Sequence, residues 1–435
     1  MSSNDLQLAA EMAAISTVKS AELVEKAKDT AQLQQLQEKL DEDKDRVVTV
    51  KKVLASLDDH GINVTLAKQM DNNLLRADVE IPADDLGDVQ GFECLGRTLM
   101  PGVYRKTRLQ GCESFLGDFY RKAKEITQHI TIGFQESYLL FTQSVDSLNA
   151  LIDLLEKELD TAPSFKAGTD DILLGTRLFN LFKVNGKVNE DWIGSVTKLN
   201  ATVTALSTNY YLASNVALNN TVRYFGAFAD ENNDQAVRRF ILLPKAVPSN
   251  RFKECSYPSK EHTSGNVVAK QSVELMGGAY FLDKRNEHKN TDPANVEQVV
   301  GYVHALIDLD GIEFFNDSPV EYPKSGTAIK TLSSDTIRSL IKLMRNTLTA
   351  WRKAADQIDR YKLSDSDFND VTRGIYESEM SDDMKDKVQT AFSAIVRKNQ
   401  IELLTNRASV NNYLVLVFNG IVEICNTSIA ANLAE

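Results

Sequence analysis

The side chains that most often carry chemistry are scattered along this chain of 435 residues. No histidine lies four residues from another histidine or from a cysteine, which is the spacing that would place two metal ligands on one face of a helix. Each histidine is therefore interpreted as an ordinary surface or core residue. The five are His60, His129, His262, His288 and His304.

The cysteines and the known catalytic motifs offer no better candidate. Cys94, Cys112, Cys255 and Cys425 form no C-x-x-C pair, and four cysteines are too few to staple a chain of this length, so they indicate a reducing compartment. The phosphate-binding, dinucleotide-binding, zinc-protease and serine-hydrolase signatures are all absent. We predict no catalytic, cofactor-binding or metal-binding residue, no cofactor and no enzymatic activity.

Carboxylate groups could in principle support acid–base catalysis or cation binding. The pairs Asp170-Asp171 and Asp382-Asp383 occur where helices are predicted to begin, so helix capping explains both. The segment 308–313 alternates carboxylates around a glycine, but it lacks the complete ligand set of a calcium loop. It is interpreted as a turn.

A basic cluster is the main candidate for binding, and it could contact DNA phosphates or pair with an acidic part of the same chain. Residues 1–93 contain 19 of the 61 acidic residues and 10 of the 49 basic ones, which leaves 42 and 39 for the remainder. Nine of the twelve net negative charges therefore lie in this segment, and the intramolecular pairing is favoured. The cluster comprises Arg97, Arg105, Lys106, Arg108, Arg121, Lys122 and Lys124.

The elements that must position these residues begin with an acidic helical arm at 1–58. Its apolar residues follow a heptad register that is broken only at Asp43, which favours a coiled coil or an amphipathic helix that binds a partner. A helix lying on the body of the same protein is the alternative. The register comprises Leu33, Leu36, Leu40, Val47, Val50, Leu54 and Leu57.

A flexible joint is predicted at 59–111, because glycine and proline interrupt any regular period there. The segment from Cys112 to Leu159 then has apolar residues at every third or fourth position, which predicts a helix of about 70 Å. This spine helix must either bend at Gly133 or serve as a surface on which other helices pack.

The remaining chain predicts a helical bundle with one insertion. Residues 112–234 form its first part, with further helices from Thr169 and from Glu190 to Phe228, separated by a tight turn at 184–187. Residues 235–324 contain six of the nine prolines and predict an irregular α+β insertion, with strands at 239–243 and 279–283 and a helix near 296–306. Residues 325–435 complete the bundle. The predicted fold class is mainly α, a long-helix bundle with a small irregular α+β insertion.

The termini indicate neither secretion nor membrane insertion. The N-terminus lacks a basic region before an apolar core, so no secretory signal is expected. The apolar run from Tyr413 to Cys425 is interrupted by Asn419, Gly420 and Glu423 and is too short to span a bilayer. We expect a soluble protein that has no membrane partner.

Several short segments, distributed over most of the chain, resemble the internal head proteins of the phiKZ-like jumbo tailed bacteriophages. The shared layout is an acidic helical leader followed by a Glu-Ser-Phe-Leu entry at 113–116. The other similar segments are 120–126, the turn at 183–188, the Phe-Ile-Leu-Leu-Pro block at 240–244, and the closing helix at 412–427.

This resemblance implies a virion structural protein packed inside the capsid and made in the host cytoplasm during assembly. It also implies that the leader is a propeptide, removed by a prohead protease that cuts after a small residue, any residue and then glutamate. Gly91-Phe92-Glu93 and Gly111-Cys112-Glu113 fit this pattern, as do two triplets ending at Glu11 and Glu22. The predicted cuts follow Glu93 or Glu113, within the joint, where extended backbone suits a protease.

The expected partners are other virion proteins, with a homo-oligomer through the heptad arm and contact with packaged DNA as further options. One alternative function is a helical scaffold or interaction module that pairs with a partner through the same arm. Another is an enzyme that uses the proline-rich insertion as a lid or site.

Overall fold

The computed structural model divides into two compact units. The small unit comprises residues 29–134, and the large unit comprises residues 1–28 together with 135–435. The structure describes residues 3–56, 64–79, 101–162, 164–165, 171–188, 190–246, 260–264, 267–286, 293–309, 311–315, 327–360 and 365–433.

Helices dominate the described residues, which confirms the mainly α fold class. In chain order the helices are α1 (Ser3–Ser56), α2 (Val64–Arg76), α3 (Pro101–Thr161), α4 (Thr176–Phe182), α5 (Trp192–Ala205), α6 (Leu212–Gly226), α7 (Asn233–Ile241), α8 (Leu243–Ala246), α9 (Val296–Leu309), α10 (Ser334–Arg360), α11 (Asp365–Glu377) and α12 (Asp382–Leu433). The strands are β1 (Asp171–Leu174), β2 (Lys183–Val184), β3 (Lys187–Val188), β4 (Lys260–Ser264), β5 (Val267–Gln271), β6 (Tyr280–Asn286), β7 (Gly311–Phe315) and β8 (Thr327–Lys330).

The small unit buries one apolar cluster formed by α1, α2, the residues that follow α2, and α3. The α1 members are three or four residues apart and therefore share one face of the helix. Part of the predicted heptad register thus packs inside its own chain. The cluster comprises Val47, Val50, Leu54, Ala67, Met70, Leu74, Ala77, Val79 and Cys112.

Part of the stretch 59–111 that the sequence predicts as a flexible joint is helical. It contains α2 and the first turns of α3. Residues 64–79 contain neither glycine nor proline, and Ala67, Met70 and Leu74 recur at helical spacing, so this segment can bury an apolar face.

The spine helix α3 begins at Pro101, earlier than the predicted start at Cys112. Proline suits the first helical position, because the N–H that it lacks would have no partner there. The helix continues through Gly133, where an added Cβ would lie only 2.4 Å from Oγ1 of Thr30. This glycine therefore permits close packing of α1 against α3 and does not end the helix.

The core of the large unit contains buried residues of α3, α5 and helices α6 to α12. One of its clusters includes Phe225, Phe228 and Phe240, which pack with residues of α9, α11 and α12. In a second aromatic group, the Trp351 ring lies edge-on to those of Tyr211 and Phe141, with centroid distances of 5.4 Å and 6.1 Å. The expectation that C-terminal helices pack into a common bundle agrees with this arrangement.

Two local predictions were wrong. Residues 171–174, expected to begin a helix, form strand β1, because they pair antiparallel with β8 and Asp171 forms an ion pair with Lys330. Residues 239–243, expected to be a strand, complete α7 and begin α8. A capping box between Asn232 and Gln235 starts α7 upstream, and this signal outweighs the local strand-like composition.

Other local predictions were confirmed. Asn185 and Gly186 have φ values of 50° and 76°, as a tight hairpin between β2 and β3 requires. Strand β6 covers the predicted strand at 279–283 and lies in an antiparallel sheet with strand order β4-β5-β6-β7. Helix α9 covers the helix predicted near 296–306. The helix predicted over 190–228 is interrupted by a π-helical segment at Leu206–Tyr211.

Among the described residues, α12 is long and apolar enough to cross a membrane by length and composition alone. One 18-residue window has a mean hydropathy of 1.7, and 61% of this window is buried inside the fold. The predicted apolar run at 413–425 is therefore only part of a longer apolar helix. Its burial is typical of a core helix.

Candidate functional site

The buried member of the predicted basic cluster pairs within its own chain. The Arg108 side chain of α3 is only 1% exposed, and its Nε and Nη2 donate to the two carboxylate oxygens of Asp71 at 3.1 Å and 3.3 Å. A bidentate pair of this kind is directional and satisfies both groups. Arg108 is therefore occupied by an acidic residue of the N-terminal 93 residues.

The other described basic residues of this cluster are more exposed than Arg108. Arg105 donates to the Ala55 carbonyl at 3.4 Å, and the exposed Arg121 pairs with Asp118 in its own helix at 2.9 Å. Lys106 and Lys122 are exposed. Arg97 and the side chain of Lys124 lie outside the described residues. The cluster thus combines one buried structural pair with an exposed basic stretch on α3.

The two predicted cleavage residues have different settings. Glu113 lies well inside α3, where the backbone is helical, and its Oε1 is 3.6 Å from Nζ of Lys51. Its neighbour Cys112 is fully buried. A protease needs an extended segment, so a cut after Glu113 requires local unfolding of α3. Glu93 lies outside the described residues.

A polar seam joins α1, α3 and α12 within the large unit. Asn419 Nδ2 of α12 donates to the Ala13 carbonyl, to Ser16 Oγ and to Thr17 Oγ1 at 3.3, 3.2 and 3.0 Å. About two turns earlier on α12, Asn411 Nδ2 donates to Ser20 Oγ at 3.2 Å and to Ser144 Oγ at 3.0 Å. We call Ser16, Thr17, Ser20, Ser144, Asn411 and Asn419, together with Trp351, the polar seam.

Most of the seam is buried, while Thr17 and Asn419 are half-buried. Ser16, Ser20 and Ser144 have no measurable exposure, and Asn411 is 1% exposed. The indole Nε1 of Trp351 donates to Asn411 Oδ1 at 3.3 Å. Buried polar groups of this kind define a register, because a shifted helix would leave them without partners.

No motif in the sequence identifies this seam. The asparagines were visible as interruptions of the apolar C-terminal helix, and Ser16 and Ser20 are four residues apart on α1. Small polar residues at helical spacing, opposite buried asparagines, are the signal that could have indicated it. The partner helices, however, are separated by about four hundred residues of sequence.

A second feature missed from the sequence is a charge ladder between α3 and α10 in the large unit. Arg338 pairs with Asp160 at 2.7 Å, Arg345 with Asp153 at 2.5 Å, and Arg352 with Asp146. Both series advance by seven residues in opposite directions, so the helices are antiparallel and in heptad register. Arg345 also contacts Glu156 at 2.6 Å.

One cleft of about 310 Å³ lies where the N-termini of α7, α9 and α12 meet. Helix N-termini attract anions, but these three are capped by their own side chains. Asn232, Asn295 and Ser381 accept hydrogen bonds from backbone N–H groups three residues further on. Lys387 in the cleft already pairs with Asp383 at 2.9 Å and with Glu297 at 3.5 Å.

The described residues contain no group of three or more His, Cys, Asp or Glu side chains that could hold a metal ion. Nδ1 of the exposed His129 lies 2.7 Å from the Glu125 carbonyl oxygen of its own helix. The buried phenol of Tyr413 donates to the Met276 carbonyl at 2.8 Å, and burial raises the pKa of this phenol. His60 and His288 lie outside the described residues.

The polar seam and the charge ladder determine how the helices pack against one another. Neither carries out chemistry that would identify a function, so similarity over the full chain is the remaining guide to its role. A family model for phiKZ-like phage internal head proteins matches residues 21–427. The chain belongs to this family. The resemblance drawn from the sequence is thereby confirmed. No curated protein and no solved structure matches it.

Membership of the phiKZ-like internal head proteins places the chain inside the virion head, after synthesis in the host cytoplasm during assembly. The matched range begins within α1 and ends within α12, so it includes residues of both units. It also includes Ser144, Asn411 and Asn419 of the polar seam. An internal head protein of this family is a structural component of the particle that associates with other virion components.

Proposed function

We propose that this internal head protein acts through protein–protein contacts, without catalysis, and that it matures by one proteolytic cut. The family match over residues 21–427 is the observation that carries the structural role. The long helices support it, because their polar side chains pair with one another across helix interfaces.

Purified particles test the structural role. Quantitative mass spectrometry should find the chain enriched in DNA-filled heads relative to infected-cell lysate and isolated tails. Its absence from purified heads would contradict the proposal. A metal analysis and a thermal-shift screen with nucleotides test the enzymatic alternative, and a clear stabilisation by a nucleotide would support that alternative instead.

The proposed cut follows Glu93, at the triplet Gly91-Phe92-Glu93. The other candidate, Glu113, is the less favourable substrate because its peptide bond belongs to α3. Peptide mapping of mature particles should therefore find a new N-terminus at Cys94. A new N-terminus at Ser114 would select the other site, and peptides that run uncut across both Glu93 and Glu113 would refute maturation.

A second candidate function is pairing with a partner through the heptad arm. The observation in its favour is Leu36, which lies in the predicted register and is 52% exposed, whereas Val47, Val50 and Leu54 are buried within the small unit. An exposed leucine in such a register can contact a second helix. Sedimentation of the Leu36→Glu variant tests this function: a dimer that becomes monomeric would support it, and an unchanged state would not.

A further inference from the structure

The N-terminal segment contributes buried groups to both units, and this bears on what a cut between residues 79 and 101 would do. In the large unit, the first part of α1 buries Leu23 and Ala27 together with the seam serines, which are fully enclosed. Asn411 and Asn419 of α12 donate hydrogen bonds from their side-chain amides to serine hydroxyls of this helix. Removing the helix would take away the three acceptors of Asn419 Nδ2 and one of the two acceptors of Asn411 Nδ2, which is unfavourable.

In the small unit, the second part of α1 and α2 form most of the buried core. Val47, Val50 and Leu54 are at most 1% exposed and pack in one cluster with Cys112 of α3. The buried carboxylate of Asp71 on α2 is bound by Arg108 of α3. Separating these helices from α3 would therefore expose apolar surface and break the bidentate ion pair between Arg108 and Asp71.

We infer that residues 3–79 remain bound to the rest of the chain as a non-covalent helical subunit after the backbone is cut between 79 and 101. The surface that holds them consists of Asn411, Asn419 and Ser144 in the large unit, and of Cys112 and Arg108 in the small unit. For the protein in the infected cell, this inference rests on the proposed maturation, because the prohead protease would make the cut. The mature particle then contains both fragments in equal amounts.

An engineered cut tests the inference without the phage protease. A recognition sequence for a site-specific protease is inserted between Asp88 and Val89 of the full chain, and the purified protein is digested completely. The two fragments should elute together in size-exclusion chromatography in native buffer and separate only in concentrated guanidinium chloride. Elution of the N-terminal fragment alone in native buffer would overturn the inference.

Matched charge insertions show whether the described contacts hold the fragment. Ser20→Glu with Val50→Glu places two carboxylates at buried positions, whereas Ala21→Glu with Thr49→Glu places them at adjacent exposed positions. The first pair should lose the fragment from the main peak after cutting, and the second should retain it. Equal retention by both pairs would overturn the assigned surface.

Circular dichroism of each uncut variant establishes whether it is folded. The elution of the cut wild-type chain tests retention without any variant. The inference can therefore still be refuted if a variant does not fold. The two proposals also fail separately. Peptides from virions that run uncut across both Glu93 and Glu113 would refute maturation alone, and release of the fragment from the engineered chain would refute retention alone.

Discussion

At the scale of single residues, buried polar contacts determine how the N-terminal helices lie within each unit. Arg108 and Asp71 form a fully buried ion pair in the small unit, and Asn411 and Asn419 anchor α1 in the large unit. Such groups tolerate little displacement, since each would lose hydrogen bonds that compensate for leaving water. Their variants should therefore be far more sensitive than exposed pairs.

Loss of one member of the buried pair should be strongly destabilising. We expect Asp71→Ala to lower the free energy of unfolding by about 3–5 kcal/mol, because Arg108 would remain buried without the carboxylate that it binds. Replacing both residues, by Asp71→Leu with Arg108→Met, should restore most of the loss. Urea unfolding measures both effects. Asp118→Ala, which removes an exposed pair with Arg121, is the control and should change stability by less than about 1 kcal/mol.

Gly133 should not tolerate a side chain. Gly133→Ala places a Cβ 2.4 Å from Oγ1 of the buried Thr30, and we expect a loss of about 1–3 kcal/mol. Gly117 of the same helix has open space at its Cβ, so Gly117→Ala should instead stabilise by about 0.5–1 kcal/mol. Thermal unfolding of both variants checks the contrast. Equal effects at the two positions would show that Gly133 has no packing role.

Cys112 should make stability decrease at high pH. Burial raises the pKa of this thiol from its usual 9.0 to about 11. Between these values the unfolded chain loses the proton and the folded chain keeps it, so the contribution is complete below pH 9 and declines as pH rises towards 11. Urea unfolding of wild type and Cys112→Ala should differ most below pH 9. An identical difference at both ends of the range would contradict this linkage.

At the scale of elements, the antiparallel pairing of α3 and α10 is supported by charges in heptad register. The three arginines of α10 and the three aspartates of α3 occur at matching intervals, so only one antiparallel alignment satisfies all three pairs. The side chains are partly exposed, and each pair therefore contributes little by itself. The ladder's main effect is to discriminate against other registers.

Reversing the central charge of the ladder should have a modest, salt-dependent effect. Arg345→Glu faces both Asp153 and Glu156, and we expect a loss of about 1 kcal/mol at low ionic strength that shrinks in concentrated salt. Arg373→Glu is the control, because its partner Asp370 lies in the same helix and the pair is well exposed. Unfolding at two salt concentrations measures both. A loss that does not respond to salt would argue against an electrostatic origin.

At the scale of the whole molecule, charge is distributed unevenly along an acidic chain. The formal net charge is −12, and nine of these charges belong to the first 93 residues. If that segment stays bound after a cut, the mature protein remains acidic inside a head filled with DNA. Exposed cations such as Arg121 and Lys122 of α3 are then candidates for non-specific binding to phosphates.

We expect the folded chain to bind DNA weakly and with a shallow salt dependence. Arg121→Ala with Lys122→Ala should reduce the slope of log affinity against log salt by about two at most, since each phosphate contact contributes about 0.9. Arg373→Ala, on another exposed helix, should leave the slope unchanged. Fluorescence anisotropy with a DNA duplex measures this slope. Tight binding that persists at high salt would contradict the expectation.

The sequence by itself determined the helical architecture and much of its local detail. The three- and four-residue spacing of apolar side chains established α3, and Asn185-Gly186 established a hairpin turn, because both signals depend only on neighbouring residues. It also indicated the family, which the match over residues 21–427 confirmed. The beginning of α12 was predicted from the carboxylate pair Asp382-Asp383, and Ser381 caps this helix.

Only the tertiary structure decided which polar residues meet. Asp171 joins a strand because β8 lies beside it, and Arg108 is buried because α2 supplies Asp71. The polar seam joins residues from the two ends of the chain. Local sequence cannot specify these pairings, since they depend on which helix faces become neighbours once the core has closed, and their energy comes from leaving water together.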